Sequence, residues 1–236
     1  MARQHFFGNT RLHPSLFRPA RGTPCTVDDC GAACCVGGIW LDVGHVQKIL
    51  DQADAVAQLL PPDRRDPDHW FSDEVVAHAD FPSGLGTATQ VGPRPDGSGR
   101  QGCVFVRADH LCALQLAGEQ LGMAWPGLKP FDCATYPVLL SEGTLRWDLA
   151  SARKHHGVDC QQPHPDQPPF FRVFRREIEL AIGREGFAHV VGASGLATRD
   201  TTAAPVHPHR AAAAPPAVAA TARGAAPRRR PAPDRG

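Results

Sequence analysis

The sequence predicts an α+β fold: a small, loop-rich domain with short β-hairpins and two or three helices, organised around a cysteine metal cluster. Three features lead to this prediction. Eight cysteines are concentrated between residues 25 and 160, two segments have the apolar spacing of amphipathic helices, and two others resemble hairpins. The 23 glycines and 23 prolines interrupt the rest of the chain, which leaves little room for long elements.

Composition divides the chain into three predicted parts. Residues 1–24 are mixed and interrupted by proline, which predicts an N-terminal arm lying on the domain. Residues 25–190 contain every cysteine and are predicted to be a cysteine-cluster metal-binding domain. Residues 191–236 are rich in alanine, proline and arginine and offer few large apolar side chains to bury, so they are predicted to be a disordered tail.

The two helical segments lie near the two ends of the predicted domain. Asp42 precedes the segment VGHVQKILDQADAVAQLL in the position of an N-cap, and Pro61 and Pro62 are predicted to end this helix. The segment FFRVFRREIELAIGREG places its apolar residues on one face, and Gly186 is predicted to end the second helix.

Shorter elements are predicted between these helices. Residues 63–102 are rich in proline, glycine and aspartate and are predicted to be a long loop with little regular structure. The segments CVFV, RADH and LCAL follow as strand, turn and strand, and LQLAGEQLGM as a short helix. A second hairpin is predicted from PVLLS and TLRWDLA, with Glu142 and Gly143 at its turn.

Charge and hydropathy disfavour several classes of protein. The formal net charge is +1 at pH 7, which gives no overall field that would direct the chain to nucleic acid or to a membrane. The N-terminal residues lack the apolar core of a signal peptide, and no run approaches the ~18 apolar residues of a membrane span. We therefore predict a cytoplasmic protein without a membrane or nucleic-acid site, in a compartment that keeps thiols reduced.

The cysteines are the one group of residues that indicates a specific chemistry. Four fall within the eleven residues CTVDDCGAACC, and the other four stand singly beside predicted turns or strand ends. The predicted metal ligands are Cys25, Cys30, Cys34, Cys35, Cys103, Cys112, Cys133 and Cys160. No Ser-His-Asp or paired-carboxylate pattern stands out, so no catalytic residue is assigned.

Three interpretations of these cysteines compete. Buried structural thiols would explain Cys103 or Cys112 alone, but not four thiols flanked by threonine, aspartate and glycine. A disulfide framework is disfavoured by the predicted compartment. It is also disfavoured by the adjacent pair, whose Cα atoms would lie ~3.8 Å apart, below the usual range of ~4.4–6.8 Å. Metal or cluster ligation is favoured, and the spacing leaves zinc and iron–sulfur both open.

The adjacent pair also predicts how many metals are bound. Neighbouring side chains of an extended chain point in opposite directions, so Cys34 and Cys35 are predicted to bind different metals or different irons of one cluster. Eight thiolates would satisfy two four-coordinate sites, or one cluster and one zinc. The centre is therefore predicted to be polynuclear.

The ordered cysteines and their neighbours resemble a known family. The segments CTVDDCGAACCVGG, GCVFV, LCAL, KPFDCATYP and the late DC are similar to the YkgJ-type cysteine-cluster family, in its bacterial branch with C-x4-C-x3-CC and KPxxCxxYP. The resemblance covers roughly residues 25–187 and implies zinc or iron chelation, with no established reaction for most members. The chain departs from the branch at Gly31 and Ala32, where a variable residue followed by glycine is commoner.

Two functions follow as hypotheses. The first is a metal-binding protein that holds an iron–sulfur cluster, with [4Fe–4S] favoured and zinc as the alternative cofactor, on up to eight cysteines for redox chemistry or protein modification. The second is a zinc-stabilised protein interaction module without redox or catalytic activity. The partner protein is unknown, and the sequence does not decide whether the chain is an enzyme.

Overall fold

The computed structural model describes residues 4–20, 31–150 and 166–195. These residues form a mixed α+β fold, as predicted, and belong to one compact unit that spans Met1–Asp200. A second unit, Thr201–Gly236, lies outside the described residues, as does the predicted disordered tail from residue 196 onward. The last described helix runs from Arg175 to Ala193. The predicted start of the tail, at residue 191, therefore falls within that helix.

The regular elements are short and numerous. The strands are β1 (His5–Phe7), β2 (Thr10–Leu12), β3 (Trp40–Asp42), β4 (Val76–Ala77), β5 (Leu85–Ala88), β6 (Val91–Pro93), β7 (Gln101–Cys103), β8 (Val138–Ser141) and β9 (Thr144–Trp147). The α-helices are α1 (Val43–Leu50), α2 (Ala53–Gln58), α3 (Ala113–Gln120), α4 (Phe131–Thr135), α5 (Phe170–Val173) and α6 (Arg175–Ala193). Within the described ranges, four 3-10 helices join them, at Pro14–Phe17, Ala33–Cys35, Pro62–Arg64 and Pro67–His69.

One core forms around the sheet β1-β2-β9-β8 and the C-terminal helices. The predicted hairpin is confirmed as β8 and β9, which pair antiparallel from Val138–Trp147 to Ser141–Thr144. Glu142 and Gly143 have φ of 50° and 64°, the left-handed conformation that a two-residue hairpin turn requires. Strand β2 pairs parallel with β9, and β1 pairs antiparallel with β2. Residues 4–20 of the predicted arm therefore contribute two strands to this sheet.

A second core lies beneath the helices α1, α2 and α3 and positions the cysteines. Asp42 is confirmed as the N-cap of α1, because its Oδ1 accepts a hydrogen bond of 2.7 Å from the Gly44 amide. Trp70 and Phe105 lie at the centre of this core with ring centroids 5.4 Å apart. The partly buried Cys103 and Cys112 pack against the same core.

Three predictions of secondary structure are wrong. The loop predicted over residues 63–102 contains β4, β5, β6 and most of β7. The predicted pairing of CVFV with LCAL is also wrong, because β7 pairs with β6 and only an isolated bridge joins Val106 to Cys112. Gly186 is buried within α6 rather than at its end, and the non-helical residue is Gly183, with φ of 74°.

The number of helices also exceeds the two or three that were predicted. Each predicted helix is present, but the first is divided into α1 and α2 and the last into α5 and α6. Helices α2, α4 and α5 have six, five and four residues, fewer than two turns, so the apolar periodicity could not reveal them. None of the described helices combines the length and apolar composition needed to cross a membrane.

Candidate metal centre

Five of the eight predicted ligands lie in the part of the chain that the structure describes. Cys34 and Cys35 end the 3-10 helix Ala33–Cys35, Cys103 ends β7, Cys112 precedes the first turn of α3 as its N-cap, and Cys133 lies in α4. Four of these thiols are partly buried, and that of Cys34 is exposed. Cys25, Cys30 and Cys160 lie outside the described residues.

The adjacent pair does not have the extended backbone from which the division between metals was predicted. The Cys35 amide donates a hydrogen bond of 3.0 Å to the Ala32 carbonyl, as a 3-10 turn requires. Successive side chains on such a turn diverge by about 120° rather than 180°, because it has about three residues per turn. Cys34 is exposed and Cys35 is partly buried, so the two thiols have different surroundings.

Four thiols from four different elements lie within electrostatic reach of one another. The pKa of Cys103 is raised to about 12, chiefly by burial; hydrogen bonds with Thr89 and with the Phe105 backbone lower it, and the neighbouring Cys112 and Cys35 thiols raise it. Burial likewise raises the pKa of Cys112 and places that of Cys133 well above its usual range, with smaller contributions from neighbouring thiols. We call Cys35, Cys103, Cys112 and Cys133 the thiol group.

Cys35 connects the thiol group to the exposed cysteine. Its pKa is raised well above the usual value, first by hydrogen bonding with the Cys34 side chain and then by burial. The metal-free thiols are therefore neutral at pH 7, since burial penalises a thiolate and each thiolate would repel the others. A bound cation would remove this penalty because it is attracted to every thiolate that it binds.

Lys129 is a cation that acts electrostatically on three members of the thiol group. It lowers the pKa of Cys35, Cys112 and Cys133 and so opposes part of the effect of burial. Its ammonium donates a hydrogen bond of 3.0 Å to the Gln115 side chain of α3. Lys129 belongs to the KP motif before Cys133, so the sequence did contain a signal for this residue.

A buried arginine holds the backbone just before the adjacent cysteines. The Arg94 guanidinium donates hydrogen bonds of 2.7 Å to the Gly31 carbonyl and 2.7 Å to the Ala32 carbonyl. Ala32 has a positive φ of 53°, a strained conformation for alanine that these bonds help to hold. A Cβ on Gly102 would lie 2.9 Å from Arg94 Cγ and Nε, so only glycine lets Arg94 cross β7 here.

A second buried arginine holds the segment that contains Cys103. The Arg64 guanidinium donates to the carbonyls of Cys103 at 3.3 Å and Val104 at 3.0 Å, and also to those of Val106 and Pro93. Its backbone carbonyl in turn accepts a hydrogen bond of 2.7 Å from the Trp70 indole. Neither Arg64 nor Arg94 was predicted to contribute to the site, because both lie in a segment that was predicted to be a loop.

The chain after the adjacent cysteines passes close to Thr89. The Thr89 hydroxyl accepts a hydrogen bond of 3.0 Å from the Ile39 amide and one of 3.4 Å from the Cys103 thiol. Gly38 has φ of 67°, and a Cβ there would lie 2.8 Å from the Thr89 hydroxyl. This position therefore requires glycine, and the close approach brings the loop of Cys35 next to Cys103.

Replacing Arg94 with glutamine should loosen the cysteine loop. The change removes two charge-assisted hydrogen bonds and leaves two carbonyls with fewer partners, so we expect a loss of about 3 kcal/mol in the free energy of unfolding. Arg100→Gln is the matched control, because Arg94 and Arg100 both lie near Asp96, at 3.9 Å and 3.7 Å, but Arg100 is half exposed. We expect the control to lose less than about 1 kcal/mol. Equal losses in urea unfolding would show that Arg94 does not hold the loop.

The chemistry of the thiol group fits a thiolate-bound metal, and its arrangement is not that of a closed metal site. Thiolates are the usual ligands of structural zinc and of iron–sulfur clusters. Within residues 4–20, 31–150 and 166–195, no three histidine, cysteine, aspartate or glutamate side chains are arranged so that they could hold a metal ion. The members of the thiol group therefore lie near one another, but no three of these described side chains are arranged to hold one metal ion.

The comparisons with known proteins add no family assignment. No protein-family model, no curated protein and no solved structure matches this chain. The resemblance to the YkgJ-type family therefore stays a prediction that rests on the cysteines and their flanking residues.

Proposed function

We propose that this chain is a metal-binding protein that holds an iron–sulfur cluster, or zinc, on its cysteines. The observation that supports the proposal best is the thiol group itself. Its members are separated by up to 98 residues, come from four elements and still influence one another's pKa. Buried structural thiols would not need to lie near one another, because each could pack alone against apolar neighbours.

The surrounding residues support the same proposal. Arg64 and Arg94 are buried, and their guanidinium groups bind backbone carbonyls of the segments that carry Cys103 and Cys35. Burying an arginine is costly unless its donors are satisfied. Both terminal nitrogens of each arginine donate to carbonyls, whereas the buried Arg94 Nε has no hydrogen-bond partner among the described residues, so it is through the terminal nitrogens that the two residues stabilise a defined backbone. A defined backbone is what a ligand set drawn from distant segments requires.

The full ligand set that we propose comprises all eight cysteines, and its described part is the thiol group together with the exposed Cys34. The proposal requires the sulfurs to move closer together when the metal binds. A bound iron–sulfur cluster would supply one-electron transfer, and zinc would supply a structural cross-link. The chain's own residues would exclude water around the sulfurs, and Lys129 would offset part of the negative charge of the thiolates.

Serine substitutions of the thiol group test the proposal. We expect Cys35→Ser, Cys103→Ser, Cys112→Ser and Cys133→Ser, purified without oxygen, each to lose at least half of the bound metal and of any visible sulfur-to-iron absorption. Val75→Ser is the control, because Val75 is 53% exposed and lies outside the site. It should retain the wild-type metal content. Full metal content in all four cysteine variants would refute the proposal.

A further inference from the structure

A cavity of about 840 Å³ lies beside helix α4. Its lining comes from β3 and the start of α1, from residues 78–82, from the start of α4 and from the β8–β9 hairpin. Asp132 of α4 lines the cavity, and the next residue, Cys133, belongs to the thiol group. The volume falls within the range of ~300–1,000 Å³ that is typical of small-molecule sites.

Aromatic side chains form the apolar part of the lining. Trp40, Phe81 and Phe131 all line the cavity. Trp40 and Phe131 are 41% and 42% exposed, although large aromatic residues are usually buried. Phe81 is fixed in place, because it stacks on the His78 ring with centroids 3.9 Å apart and a Cβ on Gly86 would lie 2.5 Å from its ring.

The charged part of the lining is acidic. Asp42, Asp80, Asp132 and Glu142 face one cationic residue, Lys48, which donates a hydrogen bond of 2.7 Å to the Gly127 carbonyl. An acidic cavity attracts cations and repels anions, an effect that low-dielectric walls strengthen.

Polar groups that line the cavity differ in their hydrogen bonding. The Asp42 carboxylate accepts hydrogen bonds from the Gly44 and Ser83 amides at 2.7 Å and 2.8 Å. Within the described ranges, by contrast, no donor lies at hydrogen-bond distance from the Asp132 carboxylate, which is only partly exposed. His78 Nδ1 is buried and has no hydrogen-bond partner there either.

Asp132, His78 and Asp80 all line this one cavity. A ligand that carries both a positive charge and N–H donors would satisfy Asp132 and His78 together.

We propose that this cavity binds a small organic cation of the ammonium or guanidinium class, with its charge at Asp132 and its alkyl groups against Trp40, Phe81 and Phe131. The faces of aromatic rings attract such cations, and they do so more strongly where water is excluded. A metal ion is a poorer fit, because among the described residues no three suitable ligands meet. The inference does not depend on what the thiol group binds.

Calorimetric titration of the intact protein tests this inference. The probes are n-butylammonium and methylguanidinium, with butyrate as the anion of matched size. We expect saturable binding of at least one cation and none of butyrate. A short alanine peptide with one lysine distinguishes the sources, since its binding would identify a side chain on a polypeptide and its failure a free cation. No saturable binding of any cation would overturn the proposal.

The matched variants are Asp132→Asn and Asp63→Asn. Asp132→Asn keeps the size of the side chain and should weaken cation binding at least tenfold, whereas the exposed Asp63 lies outside the cavity and its change should have no effect. Because Asp132 adjoins Cys133, the metal content and circular dichroism of each variant are measured on the same sample. Phe131→Ala provides a second variant and should also weaken binding. Undiminished binding in both Asp132→Asn and Phe131→Ala would overturn the assignment of the site.

Discussion

Stripping the metal from the reduced protein should lower its thermal midpoint by at least ~10 °C. Structural zinc supplies ~10–16 kcal/mol to the folding of zinc-finger peptides, because the unfolded chain has no preformed site. The thiol group would cross-link segments that extend from Cys35 to Cys133, and two of its members, Cys103 and Cys112, pack against the core beneath α1, α2 and α3. Even a few kcal/mol would give this shift, since about 1 kcal/mol corresponds to ~2–4 °C for a chain of this length.

The control for this experiment separates metal loss from damage by the chelator. The same treatment applied to Cys133→Ser, which is expected to bind at most half as much metal as the wild type, should shift its melting curve less than that of the wild type. Returning iron and sulfide, or zinc, to the stripped wild-type protein should restore the midpoint. A melting curve that is unchanged in protein verified to be metal-free would contradict the coupling between metal and folding.

Replacing Arg64 with leucine should destabilise the protein by about 4 kcal/mol or more. Leucine fills part of the space but leaves the carbonyls of Cys103, Val104, Val106 and Pro93 without the donors that Arg64 supplies. Each unsatisfied buried carbonyl costs about 1–3 kcal/mol, and these costs add only in part because the carbonyls are neighbours. The free energy of unfolding in urea measures the loss.

Arg65→Leu is the matched control for Arg64→Leu. Arg65 is the adjacent residue, is exposed, and makes one hydrogen bond of 3.0 Å to the Leu60 carbonyl. We expect the control to change stability by less than about 1 kcal/mol. Should Arg64→Leu fail to fold, Arg64→Lys retains the charge with fewer donors and should show an intermediate loss. Similar stability of the Arg64 and Arg65 variants would show that Arg64 does not hold the Cys103 segment.

The elements that the sequence predicts well are those whose signals are local. The β8–β9 hairpin follows from a turn at Glu142 and Gly143 between two apolar segments that pair directly with each other. The cap at Asp42 follows in the same way, because the capping side chain and the amide that it binds are two residues apart. In both cases a few neighbouring residues determine the structure.

The elements that the sequence fails to predict depend on pairing with residues that are distant in the chain. Strand β5 has four residues, too few to show alternation, and it is stabilised by pairing with β3, where Ala88 faces Trp40. The parallel pairing of β2 with β9 joins Arg11 to Thr144 across 133 residues and has no local sequence signal. Gly183 was not predicted to interrupt the last helix because a single glycine is often tolerated within one.

The candidate site also has parts that the sequence predicts and parts that it does not. The cysteines were identified as a group because their residue type and crowding are visible in the sequence, and four of the five described ones do lie near each other. The two arginines that hold the cysteine segments could not be identified, because their acceptors are backbone carbonyls, which every residue has. The exposure of Cys34 beside the partly buried Cys35 required the 3-10 turn to be known.

The metal content of the wild-type protein, isolated without oxygen and analysed by elemental mass spectrometry, tests the central claim most directly. We predict at least two iron or zinc atoms per chain, because eight thiolates exceed what one four-coordinate ion can bind. One metal atom per chain would contradict the polynuclear centre while leaving a metal site. Protein that is correctly folded, fully reduced and free of bound metal, even after reconstitution with iron and sulfide or with zinc, would contradict the proposed function itself.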